Sequence, residues 1–189
     1  NQPNVAYAES RDGVAWTKPE LGIVAYEGSK ANNLVGLDRL EGVVFADPRM
    51  PAAERYQYVT TARAPGDATG PMGLYRFHSP DGLHWNRDTT PLIAAGSDTQ
   101  NVTFWDERVG AYVLYLRGWN PAPNRRKVVR LTLPNLKDPF PTVPTKRGVG
   151  NYFYNEIPTV LICDEQDPVR TDIYNLAAQP YPLDPGWYV

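Results

Sequence analysis

ESRDGVAW at residues 9–16 and HSPDGLHW at residues 78–85 carry one frame, Ser-x-Asp-Gly-x-x-Trp, twice in the chain. Ser10, Asp12, Gly13 and Trp16 return as Ser79, Asp81, Gly82 and Trp85, 69 positions on. The frame has the chemistry of a tight turn: Asp bonds the backbone just ahead of it, and Gly takes the positive φ that such a turn needs. That accounts for Asp12 and Asp81 as structural residues, with each Trp expected to pack between repeated units. The surroundings repeat as well. VAYAES precedes the first frame and GLYRFHS the second, and each frame leads into a Pro-containing run with apolar ends, KPELGIV and TTPLI. Two further segments, VVFADPRMPAAERYQYVTTA at 43–62 and NVTFWDERVGAYVLYLRG at 101–118, both read as strand, Asp-containing turn, strand.

A unit of four short antiparallel strands, recurring after several tens of residues, predicts an all-β chain built as a β-propeller of four-stranded blades. Nineteen prolines and fifteen glycines against twelve tyrosines and five tryptophans fit short, aromatic-rich strands separated by turns. The period fits fewer than three units into 189 residues, whereas a propeller closes with about four to eight. The expectation is therefore one domain over 1–189, a portion of a ring of about two and a half to three blades, completed by further chain segments.

Composition narrows the partners. With 19 basic and 21 acidic residues and a net charge of −2, the chain has no cationic field for nucleic acid or an anionic membrane surface. No apolar run approaches the roughly 20 residues that span a bilayer, and the single cysteine, Cys163, excludes an internal disulfide framework. NRRKVVR gathers Arg125, Arg126, Lys127 and Arg130, but strand alternation sends them to both faces, and one or two can line a sugar or carboxylate site. CDEQDP gathers Asp164, Glu165 and Asp167 near Asp172 as hard oxygen ligands; without a glycine-punctuated calcium loop the expectation is a solvated acidic turn, with no metal and no cofactor. His78 and His84 are read as surface or packing residues.

The order FADP, SPDGLHW, FWDERVGAYVLYLRG resembles the five-bladed propeller glycoside hydrolases, the superfamily of invertases, levanases, arabinofuranosidases and xylosidases. More closely, residues 7–33 together with SPDGLHW, DTQNVTFWDE and DEQDP are similar to planctomycete and related bacterial proteins described as like the N-terminal domain of glycoside hydrolase family thirty-two. The resemblance implies carbohydrate substrates, a secreted or periplasmic location, and acidic residues on the innermost strands of successive blades. Two carboxylates are the minimum for glycoside hydrolysis, one to protonate the leaving oxygen and one to attack or to activate water. Asp47-Pro48 matches the family's Arg-Asp-Pro stabiliser motif with Ala46 in the Arg position, and Asp98 lies nearest the general acid, where the family has Glu. The first-blade Asp motif has no counterpart. By position, Asn32, Asn33, Gln100 and Asn101 at inner-strand starts, with Trp105, Arg117 and Glu156, are the substrate-binding candidates. Three readings stand: a glycosidase using Asp47 and Asp98, a carbohydrate-binding propeller without turnover, and a scaffold in which every motif is a staple.

Overall fold

The computed structural model describes residues 5–37, 40–67, 69–98, 100–121, 124–141, 157–168, 170–184 and 186–189. Two four-stranded antiparallel sheets follow one another along the chain. Sheet I contains β1 (Phe45–Ala46), β2 (Tyr56–Arg63), β3 (Met72–Ser79) and β4 (Asn86–Arg87). Sheet II contains β5 (Val102–Asp106), β6 (Ala111–Pro121), β7 (Asn124–Leu133) and β8 (Thr159–Ile162). In each, spatial order equals chain order. A short 3-10 turn at Ala52–Glu54 is the helical element among the described residues, and no helix there is long and apolar enough to cross a membrane.

The sheets pack face to face. Val59, Leu74, Leu92, Ile93 and Ala95 of sheet I and its flank meet Tyr112, Leu114, Leu116, Val129, Leu131 and Leu133 of sheet II in one buried cluster. Because alternate residues point to opposite faces, Val113, Tyr115 and Val128 point away and pack with Ile173, Leu176 and Ala178 of the later chain. Sheet I is covered twice in the same way: Tyr58 turns from sheet II to join Val35 and Leu37 of the leading segment. A sheet covered on both faces needs strands apolar on both, which is why AYVLYL lacks a polar alternation. Burying each such side chain contributes about 1.5–3 kcal/mol.

The two first strands approach closely. Gly42 and Asn101 form a parallel bridge, and the Asn101 amide donates to the Glu41 carbonyl at 3.0 Å. A Cβ at Gly42 would lie 2.6 Å from the Val59 carbonyl oxygen and 2.9 Å from that of Asn101, so only glycine fits.

The leading segment, expected to begin with a strand, is held by isolated bridges instead, Ala6 to Leu34 and Glu9 to Thr17. Its partner run is interrupted by Pro19 and by a two-residue turn in which Glu27 and Gly28 both take positive φ, and a ladder cannot continue through such breaks. The frames themselves form as read. Asp12 Oδ1 accepts from the amides of Val14 and Ala15 at 2.8 Å, and Asp81 Oδ1 accepts from those of Leu83 and His84 at the same distance. Trp85 packs against Tyr58, but Trp16 is 60% exposed, so the expected burial of each frame's Trp holds only for the second. Sheet II keeps the turn chemistry without the frame: Asn135 Oδ1 accepts from the amides of Lys137 and Asp138 at 2.8 Å.

Candidate functional site

Asp47 and Asp106 end the first strands of sheets I and II, and the fold uses both alike. Asp47 Oδ1 accepts from the Arg49 amide at 3.0 Å and from Arg49 Nε at 2.9 Å; its Oδ2 accepts from Arg49 Nη2 and from the Tyr112 hydroxyl of sheet II, each at 2.5 Å. Asp106 binds Arg108 in the same pattern, at 2.9, 3.3 and 3.4 Å, and accepts from the Tyr188 hydroxyl. The Arg49 guanidinium lies 3.4 Å from the Trp105 ring centroid, and that of Arg108 lies 4.5 Å from Tyr188. Each motif is a latch: an Asp-x-Arg turn closing the first strand of a sheet holds a tyrosine from later in the chain. The Asp47 side chain is 1% exposed. Burial works against its charge, yet the Arg49 and Tyr112 bonds outweigh it and hold the carboxyl below its usual range. Four donors occupy this carboxylate, which leaves it no free lone pair for a substrate. The position suggested for Asp47 as a catalytic stabiliser is thus that of a turn at the far end of the first strand, equivalent to Asp106.

Several amide candidates also serve the backbone. Asn32 donates to the Val24 and Ser29 carbonyls at 2.9 and 3.2 Å and accepts from the Leu34 amide, while Asn33 donates to the Tyr7 carbonyl at 2.5 Å. They stitch the leading segment together. Asn101 is buried as the strut between first strands. Trp105 is sandwiched by Arg49 and, edge-on at 5.2 Å, by Tyr112. Glu156 lies outside the described residues.

Asp98, Gln100 and Arg117 are brought together. Arg117 and Trp119 on β6 stand opposite Val128 and Arg126 on β7, so all four share one face of sheet II. The later chain covers that face, supplying Asp172 and Tyr174. Both guanidiniums stack on the same two rings: Arg117 lies 5.6 and 5.4 Å from the Trp119 and Tyr174 centroids, Arg126 4.7 and 4.9 Å. Arg126 donates to Asp172 through its amide at 2.7 Å and its guanidinium at 2.5 Å. Arg117, its side chain 6% exposed, pairs with the 57% exposed carboxylate of Asp98. A narrow cleft runs beside them, lined by Gln100, Tyr115, Arg117, Tyr174 and Asn175 among others. Within it Arg117 Nη1 is buried without a hydrogen-bond partner, as is Arg126 Nε alongside. Burial lowers the Arg117 pKa and outweighs the Tyr174 hydroxyl, which favours the charged form, with the nearby Arg126 charge adding to the lowering.

Alternation along NRRKVVR sends some of its cations to this face and Asp172 is singled out only with the acidic CDEQDP turn, but Trp119 and Tyr174 carried no sequence signal: Tyr174 lies 55 positions beyond Trp119, joined to it only by the packing of the later chain. The acidic turn of CDEQDP closes on itself, Asp167 accepting from the Asp164 amide and Asp164 from the Gln166 amide. Asp172 is committed to Arg126. In comparisons with known proteins, no family model, curated protein or solved structure matches the chain.

Proposed function

We propose that the chain is a section of a β-propeller that binds carbohydrate, without hydrolysing it, at the cleft between Arg117 and Tyr174. Two successive four-stranded sheets stacked on a shared core, preceded and followed by segments that cover their outer faces, support the propeller. The identical Asp-x-Arg latches support a unit that repeats around an axis, with β1 and β5 nearest the centre. The observation that carries the binding reading is the unpartnered Arg117 Nη1 beside a cleft that is also lined by Gln100 and by Tyr174, a residue 59% exposed. A flat aromatic surface next to fixed polar donors suits a sugar ring, whose apolar face stacks while its hydroxyls bond.

Hydrolysis needs two available carboxylates. Asp98 is exposed and paired with Arg117, but Asp47 is consumed by its latch, which is why binding is favoured over turnover. Titrating the chain with a panel of neutral and acidic oligosaccharides, while assaying the release of reducing ends, tests this. Binding that falls at least tenfold in Tyr174→Ala, with no reducing ends released, is the expected result. Turnover abolished by Asp98→Asn would restore the glycosidase reading, and a folded chain that binds no member of the panel would leave only a scaffold.

A further inference from the structure

Resting on that binding reading, we propose that the ligand is acidic: the cleft takes the carboxylate of a uronate residue in an oligosaccharide, held by Arg117 with Arg126 beside it. The first reason is a surplus of donors. A guanidinium has five N–H groups and no acceptor, and at this site two of them share Asp98 and Asp172 as anionic partners. Arg117 Nη1 and Arg126 Nε are left buried and unbonded, a state that costs more for a charged group than for a neutral one. A sugar hydroxyl accepts through one oxygen, whereas a carboxylate offers two in the plane that matches the guanidinium fork.

The second reason is the unequal setting of the Asp98 pair. Arg117 is fixed by burial and by stacking on two rings, while the Asp98 carboxylate stands 57% exposed and gains little from an ion pair that water already screens. Asp98 holds the place of a ligand carboxylate and can yield it. The third reason is space. Beside Arg117 the cleft has about 10 Å³ of free volume, which admits one carboxylate oxygen, the other taking the place that Asp98 yields, and no sugar ring. The ring then stays outside, over the exposed face of Tyr174. Two cations gathered on the same pair of rings repel each other, and an anion between them relieves that repulsion.

Calorimetric titration with tetragalacturonate, and with the same tetramer after reduction of its carboxyls to primary alcohols, isolates the charge. The uronate is expected to bind at least tenfold more tightly than the reduced form, with a gap that narrows as salt rises. Asp98→Asn removes the competing anion and is expected to tighten uronate binding about threefold, while Tyr174→Ala, at an exposed position, weakens both ligands. Equal affinity for the two tetramers overturns the acidic ligand and leaves carbohydrate binding standing. Binding of neither tetramer by a chain that still unfolds cooperatively overturns the acidic ligand as well; whether any carbohydrate binds is then answered by the wider panel above.

Discussion

The frames at 10–16 and 79–85 are the same turn built twice and put to different use. Ser10 and Ser79 Oγ each accept from the following Gly amide at 2.9 Å, and the Trp indoles each donate to that Gly carbonyl, at 3.2 and 2.9 Å. Even so, Trp85 joins a cluster with Tyr58, Val35 and Leu37, whereas Trp16 is 60% exposed. Local hydrogen bonds fix the turn's shape; whether its Trp is buried depends on the face of the neighbour it meets. Stability in this chain is therefore expected to reside in contacts between units, not in the turns.

The largest test of that contrast lies at the latch between the sheets. Asp47→Ala leaves the Arg49 guanidinium and the Tyr112 hydroxyl without their shared acceptor and is expected to destabilise by about 3 kcal/mol, against about 1 kcal/mol for Tyr112→Phe, which loses one hydrogen bond; urea denaturation measures both. If Asp47→Ala cost no more than Tyr112→Phe, the latch would not be what joins the sheets. The Trp pair is the direct comparison. Trp85→Ala is expected to lose about 2–3 kcal/mol, less than a fully buried Trp because it keeps some exposure, and Trp16→Ala to stay within about 0.5 kcal/mol. Equal effects would mean that the turn, not its neighbour, sets the energy.

A smaller effect sharpens the same point through pH. Lys137, from the turn after β7, bonds Glu54 of the 3-10 turn between β1 and β2 at 2.9 Å, and buried Arg76 bonds it at 2.5 Å. The Lys137 bond, with Arg76 and against the cost of burial, lowers the Glu54 carboxyl from 4.5 to about 2. A depressed acid stabilises the fold above its unfolded pKa and loses that contribution as pH falls toward the folded one. Glu54→Gln should therefore cost about 1–2 kcal/mol at neutral pH, after discounting for partial exposure, and the difference from the parent chain should vanish between pH 4.5 and 2. Unfolding curves across that range report it, and a difference that persists at pH 2 would remove Glu54 as the titrating group.

Much of the fold was legible in the residues. Asp-Gly turns, the strand-turn-strand pattern around Asp47 and Asp106, and aromatic alternation are local, because hydrogen bonding within a few residues decides them. The absence of the frame after β7 hid the corresponding turn, where Asn135 supplies the same acceptor chemistry under a different sequence. The site was only partly legible. Position along a strand predicts which residues start it but not what their side chains meet, so the sequence offers Asn32, Asn33 and Asn101 as ligand amides although each bonds main-chain carbonyls.

By itself the sequence determined an all-β chain of short strands with turns at set places, because propensity, glycine φ and Asp capping act over a few residues. Tertiary structure alone decided what each polar group is for. Asp47 became a latch because Tyr112, 65 positions away, reaches it, and Arg117, already a candidate by position, gained its partners because Asp98 and Tyr174 converge on it from other parts of the chain. The reason is physical: a carboxylate or guanidinium takes its role from the partners and solvent that burial leaves it, and those are fixed only when the sheets pack.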